Sequence, residues 1–243
     1  MFGWRRRIGY ITPTVMEVAA YDFYRFAPEG VGLVAVTCGI DDWRPEEFEK
    51  GLAQVSSFAK YLGSRGVDFV IHGGGPLVVA RGGNYEAEIV KGIETASGVA
   101  ATTGVRAGQE ALRAIGARRI AIASPYPPSH NEAMAAYLTS KGFDVVRAEG
   151  RNIGFKDLQN VPPSEIYRFV RDVDSRAGDC DALYLPCPQW QTAQLVATLE
   201  QDTGKPVVAY THANFFVAFR TLGVRDAIRG HGRLLASLAN GGA

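Results

Sequence analysis

The sequence predicts an α/β fold made of two similar lobes, each a mostly parallel sheet flanked by helices. Two observations indicate this fold: short apolar runs alternate with longer amphipathic stretches over the 243 residues, and one strand–turn–helix pattern occurs twice. Hydrophobic residues make up 47% of the chain, which is enough to bury a full core. We therefore expect two pseudo-symmetric open sheets, with an active site in the cleft between the lobes.

Seven runs of mainly apolar residues are predicted to be strands. Most of them are continuous rather than alternating, which is typical of parallel strands covered on both faces. They are "RIGYIT" (7–12), "GLVAVTC" (32–38), "VDFVIHG" (67–73), "RRIAIAS" (118–124), "FDVVRA" (143–148), "ALYLP" (182–186) and "KPVVAY" (205–210).

Longer stretches between these runs are predicted to be helices, of which residues 45–66 are the clearest. Phe48, Leu52 and Val55 recur there at spacings of three and four residues and would form one apolar face. The stretch ends on a glycine, a common helix stop. An alternating order of strands and helices predicts a parallel sheet.

The repeated pattern locates a candidate site. It occurs at 68–83 and again at 182–196, and each copy puts a turn rich in glycine or proline after a strand. Open α/β sheets bind ligands at the carboxyl ends of their strands. We therefore expect a cleft between residues 74–77 and 187–191.

Charge and composition exclude several classes of partner. The net charge is +1, which gives no reason to expect binding to nucleic acid or to a membrane surface. No apolar run approaches about 18 residues, and the first residues lack the features of a signal peptide. The three cysteines have irregular spacing and predict neither a disulfide framework nor a zinc site. We expect a cytoplasmic protein with free thiols and no metal, and a homo-oligomer is left open.

Cys187 lies between two prolines at the end of a predicted strand. A helix starting here would suit Pro188 in its first turn and would expose the thiol to the positive end of the helix dipole, which favours the thiolate. Cys187 is therefore a candidate for giving or taking a proton. The alternative is a small buried hydrophobic residue, as most free cysteines are.

The glycine-rich turn "HGGGPL" (72–77) is the second candidate. Consecutive glycines let backbone N–H groups approach an anion closely, as in oxyanion sites, and a tight turn without a ligand is the alternative. Neither a phosphate-binding loop nor a dinucleotide motif is present, so nucleotide binding is poorly supported. His72 is either a base or the last residue of its strand.

Two further turns place polar groups after strands. Residues 122–134 contain Tyr126 and Ser129, with Asn131 near the start of the next helix. The two hydroxyls and the exposed N–H groups would suit a carboxylate, although the prolines of this turn alone would explain a rigid loop. The turn 11–17 supplies Thr14 and another helix start of the same kind.

These turns and their flanking residues resemble the aspartate/glutamate racemase superfamily, in its arylmalonate decarboxylase and maleate isomerase branch. The similarity covers nearly the whole chain. It rests on "TPT" (12–14), "GGGPLVVARG" (73–82), "ASPYPPSHNEAMAAYL" (123–138), "LYLPCPQW" (183–190), "GKPVVAYTHANFFVAFRTLGV" (204–224) and "HGRLL" (231–235). The resemblance implies one α/β lobe at 1–112 and another at 113–212, with 213–243 packing back on the first.

The resemblance also implies a reaction. Superfamily members usually carry one cysteine in each lobe, which racemases use as two acid/base groups, and maleate isomerases use the first as a nucleophile. Here the second cysteine matches Cys187, whereas the first position is Gly74, as it is in arylmalonate decarboxylases. We therefore expect decarboxylation of a small aryl- or alkyl-substituted malonate, with the enediolate protonated by Cys187. No metal, flavin or pyridoxal is expected.

Substrate-binding residues follow from the same resemblance. Tyr126 and the backbone at Gly74, Gly75 and Pro188 would form an oxyanion hole around the retained carboxylate, and Gln189 would add an amide donor. The remaining expected contacts are Pro13, Thr14 and Asn131. The expected ligand is thus a small carboxylic acid.

Two other functions stay open at this point. One is an isomerase or racemase of a small dicarboxylate or amino-acid derivative, in which His72 replaces the missing thiol. The other is a non-catalytic protein that binds a small acid.

Overall fold

The computed structural model describes residues 2–82 and 84–240, and its strands form two four-stranded sheets. The strands are β1 (Arg6–Thr12), β2 (Val31–Thr37), β3 (Phe69–His72), β4 (Ala101–Thr103), β5 (Arg119–Ser124), β6 (Asp144–Gly150), β7 (Ala182–Leu185) and β8 (Val207–Ala209). The first sheet has the order β2–β1–β3–β4 and the second β6–β5–β7–β8, and neighbouring strands in each sheet are parallel. Because the same order recurs, the two halves are pseudo-symmetric, and the predicted fold class is confirmed.

Helices cover the faces of both sheets. They are α1 (Glu17–Phe26), α2 (Pro45–Ser64), α3 (Gly75–Arg81), α4 (Tyr85–Ser97), α5 (Gly104–Ala114), α6 (Pro128–Ser140), α7 (Pro163–Ala177), α8 (Val196–Thr203), α9 (Tyr210–Thr221) and α10 (Gly232–Ala236). Three 3₁₀-helices lie at Phe155–Asn160, Ala193–Leu195 and Ser237–Asn240. Within the described residues, no helix is both long enough and apolar enough to cross a membrane.

The predicted strands agree with the structure to within two residues at each end. Sequence analysis missed β4, because its three residues Ala101–Thr103 are too short to show a periodic pattern. β4 pairs with β3 and forms the edge of the first sheet.

The centre of the molecule is the layer between the two sheets, which α5 and α9 fill. Every residue of α9 from Tyr210 to Phe219 is buried, so this helix is enclosed on all sides. Its three phenylalanines share one core with Ile8 of β1 and Ile122 of β5. The two sheets are therefore held together by a common apolar core.

The C-terminal segment contacts both halves of the molecule. Asp226 accepts two hydrogen bonds from the guanidinium of Arg5, next to the start of β1, whereas α10 packs against α8, β8 and α9. The segment therefore does not pack on the first sheet alone. The predicted lobes 1–112 and 113–212 stay a prediction, and Met1, Gly83 and 241–243 lie outside the described residues.

A buried polar cluster joins three helices across the two halves. Glu86 of α4 accepts hydrogen bonds from Arg106 of α5, from Gln109 of α5 at 3.3 Å and from the hydroxyl of Tyr137 on α6. The carboxylate is 6% exposed. Burial alone would raise the pKa of Glu86, but its hydrogen bonds to Tyr137 and Arg106 outweigh that effect and lower the pKa. The ionised form is thus the one that stabilises the fold.

Replacing Glu86 tests this cluster. We expect Glu86→Gln to lower the free energy of unfolding by about 1–3 kcal/mol at pH 7, since charge-assisted bonds to Arg106 and Tyr137 are lost. Because the pKa of Glu86 is lower in the folded state, the difference is complete above its unfolded pKa of about 4.3 and shrinks as the pH falls below that value. Urea unfolding of Glu86→Gln and of the exposed control Glu88→Gln measures it. Equal stability of the two variants would contradict the assignment.

Candidate active site

A cleft lies where the carboxyl ends of the two central strands of each sheet meet. It holds about 390 Å³ of atom-free space, its open mouth included. The lining comes from the segments that follow β1, β3, β5 and β7, from the loop before α2 and the first part of α2, and from one 3₁₀-helix. It consists of Pro13, Thr14, Trp43, Phe48, Gly74, Gly75, Pro76, Leu77, Tyr126, Phe155, Leu158, Cys187, Pro188 and Gln189. In each sheet the chain order reverses between these central strands, the usual position of a ligand in such folds.

Cys187 is the sole cysteine that lines this cleft within the described part of the chain. Its side chain is 2% exposed. Burial raises the pKa of the Cys187 thiol to about 11, although the backbone N–H groups of Gln189 and Trp190 and the hydroxyl of Tyr126 act to lower it. At neutral pH the sulfur therefore carries its proton.

The expectation of a thiolate at a helix start was wrong. After Cys187 the chain makes a turn, and regular helical structure begins only at Ala193. The sulfur therefore receives N–H groups from a turn rather than from a helix terminus, and their effect is smaller than that of removing the thiol from water. Pro188 belongs to this turn and to the cleft wall.

The glycine turn after β3 forms another wall of the cleft. Gly74 has φ 81° and ψ 56°, the left-handed region that favours glycine. A side chain at this position would collide with Leu77 and would come within 3.4 Å of Pro13. The left-handed backbone thus favours glycine at position 74, whereas a small side chain there would displace the end of the Leu77 side chain; Gly75 begins α3 beside it.

Tyr126 and Asn131 have different places in the turn after β5. The ring of Tyr126 lines the cleft, and its hydroxyl donates to the carbonyl of Pro186, next to Cys187. Asn131 does not line the cleft. Its amide accepts from the hydroxyl of Ser124 at 2.7 Å and donates to the carbonyl of Tyr126 at 3.0 Å. We therefore correct the expected contact of Asn131 with substrate: Asn131 orders the loop that carries Tyr126.

Thr14 and Gln189 supply polar side chains to a largely apolar lining. Thr14 lies beside Pro13 in the turn after β1, and its carbonyl accepts from the hydroxyl of Thr37 at 2.9 Å. Gln189 is 4% exposed. Across the described residues, neither side chain makes a hydrogen bond to another protein group, so both are free to bind a ligand.

His72 is not part of the cleft lining. It is the last residue of β3 and is 3% exposed, and its Nδ1 has no partner among the described residues. Burial lowers the pKa of its imidazole to about 4, so the ring is neutral at physiological pH. The geometry corrects the expectation that His72 faces the substrate as a second base, since its place is within the first sheet.

Sequence analysis missed the aromatic part of the site. Trp43 and Phe48 come from the first half of the chain and Phe155 from the second, and all three line the cleft. Trp43 and Phe155 meet edge to face at 4.7 Å between ring centroids. Trp43 also packs against Tyr126 at 5.6 Å. Because Trp43 lies in a loop, Phe48 in α2 and Phe155 at the start of a 3₁₀-helix, far apart in the chain, no local pattern links them.

A second missed group lies beneath the glycine turn. The side-chain amide of Asn214 donates to the hydroxyl of Tyr10 at 3.0 Å. The hydroxyl of Tyr210 is buried without a hydrogen bond of normal geometry in the described residues, and the N–H groups of Gly74 and Gly75 are near enough to counteract part of the rise that burial causes in its pKa. The only signal for these residues in the sequence was their place in an apolar strand or helix.

No metal site is evident. Among residues 2–82 and 84–240, no three His, Cys, Asp or Glu side chains are grouped as metal ligands would be.

Comparison with protein families and curated proteins agrees with this geometry. The family model described as arylmalonate decarboxylase matches residues 8–235. Arylmalonate decarboxylase of Bordetella bronchiseptica is 28% identical over 229 residues, which cover 93% of this chain and 95% of that protein. Maleate isomerase of Nocardia farcinica is 32% identical over 130 residues, which cover 52% of this chain and 50% of that protein.

Arylmalonate decarboxylases and maleate isomerases are also among the similar solved structures. A glycine-to-cysteine mutant of arylmalonate decarboxylase in its sulfate-associated form has a TM-score of 0.83 at 28% identity, covering 94% of this chain and 99% of that one. The maleate isomerase Iso from Pseudomonas putida S16 has a TM-score of 0.89 at 19% identity, covering 96% and 99%. The second likeness concerns the fold alone.

The protonation state of Cys187 is open to direct measurement. In a Cys38→Ser/Cys180→Ser background, we expect the rate of alkylation by a small reagent to rise about tenfold per pH unit without a plateau up to about pH 9, because only the thiolate reacts and its pKa is raised. Mass spectrometry follows the reaction, and a free thiol in solution is the reference. A plateau below about pH 8.5 would show that the pKa of Cys187 is unshifted or lowered, and would contradict the rise assigned to burial.

Proposed function

Because the chain belongs to the arylmalonate decarboxylase family, we propose that it is a cofactor-independent decarboxylase of a small aryl- or alkyl-substituted malonate. The observation that carries the proposal is the single protonated thiol of Cys187 in a largely apolar cleft. The proteins named in the comparisons are enzymes, and arylmalonate decarboxylase is the relative that matches nearly the full length.

In the proposed binding mode, the substrate lies between polar donors and apolar residues of the cleft lining. The retained carboxylate lies among the donors at Thr14, Gln189 and the backbone of Gly75, beside Tyr126. Donors placed in a site without bulk water stabilise a charge that grows in the transition state. The leaving carboxylate lies against Leu77 and the aromatic residues, where nothing replaces its hydration. This arrangement favours loss of the second carboxylate.

The reaction then proceeds in two steps. The bond between the α-carbon and the leaving carboxylate breaks, CO₂ departs, and the electron pair delocalises over the α-carbon and the retained carboxylate as an enediolate. The S–H of Cys187 gives its proton to the α-carbon, which leaves a thiolate. A water that enters after product release returns a proton to the sulfur. A thiol whose pKa is about 11 is protonated at the start of every cycle.

An isomerase is the second candidate, and the similarity to maleate isomerase over 130 residues favours it. The difficulty for this candidate is the second reactive group, which would have to face Cys187 across the cleft. Position 74 is a glycine and supplies no side chain, and His72 is buried and does not line the cleft. The product separates the two functions: a decarboxylase releases CO₂ from a malonate, whereas an isomerase changes configuration without loss of mass.

Cys187→Ala tests the proposed acid. In a screen of aryl- and alkylmalonates followed by CO₂ release, we expect the variant to lose about 10²–10⁴-fold in kcat, the usual contribution of a general acid. Cys38→Ser, which changes a thiol outside the cleft, is expected to keep full activity. If Cys187→Ala stays within about tenfold of the unmodified protein, the assignment of Cys187 fails. Binding of a malonate with no turnover by the unmodified protein would indicate a non-catalytic acid-binding protein instead.

Gly74→Ala, compared with a control glycine variant, tests whether the glycine turn contributes to activity as well as to stability. The added methyl group projects toward Leu77 and Pro13, so we expect loss of most activity. Left-handed backbone also costs an alanine about 1–2 kcal/mol of stability. Gly98→Ala is the matched control, because Gly98 has φ 77° and open space around it. We expect similar losses of stability in urea unfolding and a loss of activity in Gly74→Ala alone; equal activities would remove the glycine turn from the site.

A further inference from the structure

An open groove lies at the amino ends of β5 and β6, at the opposite end of the second sheet from the cleft. Its walls are the turns that join α5 to β5 and α6 to β6, and it shares no lining residue with the cleft. Gly116 and Gly142, one in each turn, leave open space where a side chain would project. About 460 Å³ of the groove is open to water. One water occupies roughly 30 Å³ in the liquid, so the groove has room for an ion of about ten non-hydrogen atoms.

The polar side chains that line this groove are positively charged. Within the described residues the lining contains no carboxylate and three cations: Arg113, Arg118 and Lys141. None of these cations forms an ion pair in that part of the chain. Three acidic side chains of the neighbouring segments have other partners. Asp144 and Asp179 pair with Arg119, and Asp181 accepts from the backbone N–H groups of Arg118 and Arg119 at 2.8 Å and 2.7 Å. The three cations are therefore not neutralised by partners of their own.

Two helix ends account for only part of this charge. The C-terminus of a helix carries about half a negative charge, and α5 and α6 both end beside the groove. Arg113 donates to the carbonyl of Lys141 at 3.1 Å, at the end of α6. Each helix is also capped by its own backbone, as where the carbonyl of Leu112 accepts from the N–H of Ala117 at 3.0 Å. The two helix ends thus offset about one of the three positive charges, and about two remain.

Arg118 has no contact that explains its charge. It is exposed between α5 and β5, and its guanidinium makes neither a hydrogen bond nor an ion pair with any described residue. Aromatic rings hold the other two cations at the groove. The guanidinium of Arg113 lies 5.3 Å from the ring centroid of Phe143, and the ammonium of Lys141 lies 5.2 Å from that of Tyr137. The three charges therefore border one open space, and Arg118 is free to bind a ligand there.

We propose that this groove binds inorganic diphosphate through Arg113, Arg118 and Lys141. A phosphate group carries about 1.5–2 negative charges at pH 7, so a diphosphate carries about three and matches the three cations. Guanidinium groups bind phosphate oxygens through paired N–H donors, and a lysine adds a point charge. Phe143, the aromatic residue of the lining among those described, is 5% exposed and offers no ring face to a base. A free diphosphate is therefore expected rather than a nucleotide.

The test is isothermal titration calorimetry of the full chain with sodium diphosphate at pH 7.5, in the absence of divalent metal ions. We expect saturable binding at one site. Sodium sulfate at equal ionic strength should bind about tenfold more weakly or not at all, because it presents one anionic group instead of two. The binding should also weaken as sodium chloride is added, since the groove is open to solvent. No activity assay is needed, so the outcome is independent of the proposed decarboxylation.

Arg118→Gln is the decisive variant, because the Arg118 side chain makes no hydrogen bond or ion pair whose loss would affect folding. We expect it to raise the Kd for diphosphate about tenfold, and Lys141→Gln to do the same. Arg65→Gln is the matched control, since Arg65 follows α2 and precedes a left-handed glycine as Lys141 does after α6; it should bind diphosphate as the unmodified protein does. Absence of saturable binding, equal binding of sulfate, or a Kd unchanged in the double variant Arg118→Gln/Lys141→Gln would overturn the proposal.

Discussion

The thiol of Cys187 is kept out of water at the end of β7, and the chemistry available to the cleft depends on that burial. An exposed thiol would ionise near pH 8.5 and act as a nucleophile. With its pKa raised to about 11, the sulfur instead holds a proton that it can give to a strongly basic carbon. In the proposed reaction, the N–H groups of Gln189 and Trp190 would then stabilise the thiolate that remains. Burial thus raises the pKa of the thiol and the N–H groups of the turn lower it. The net rise favours Cys187 as a proton donor over Cys187 as a nucleophile.

The glycine turn opposite this thiol is supported from below by two tyrosines. A side chain at Gly73 would come within 3.1 Å of the Tyr10 ring, and one at Gly75 would lie 3.8 Å from the Tyr210 ring. Tyr10 is in turn fixed by Asn214 on α9. Because α9 lies in the core shared by both sheets, the donors of the turn are held by the most buried helix of the molecule. Donors that need no rearrangement are the ones that stabilise a developing charge effectively.

Sequence patterns predicted the fold well because continuous apolar strands and amphipathic helices are local features. The site was predicted in part. Cys187, the glycine turn and Tyr126 each follow a strand directly, so the rule that ligands bind at strand ends located them. Trp43 and Phe155 escaped this rule because neither directly follows a strand and they meet only in the folded chain. The state of the thiol was also misjudged, since the depth of burial is set by tertiary packing and has no local signature.

The contacts of Trp43 and Phe155 bear on how the proposed reaction would begin. These residues come from the two halves of the chain, and near them Asp41 pairs with Lys156 at 2.9 Å, again across the halves. A substrate that enters between the halves exchanges its hydration for aromatic walls. Loss of hydration is unfavourable for the charged leaving carboxylate, whereas the CO₂ that it becomes is uncharged and loses little solvation free energy. In the proposed binding mode, the retained carboxylate would keep polar partners at Thr14 and Gln189, which line the cleft. Exclusion of water from the cleft therefore has two effects. It keeps Cys187 protonated, and it destabilises the carboxylate charge that the proposed reaction removes.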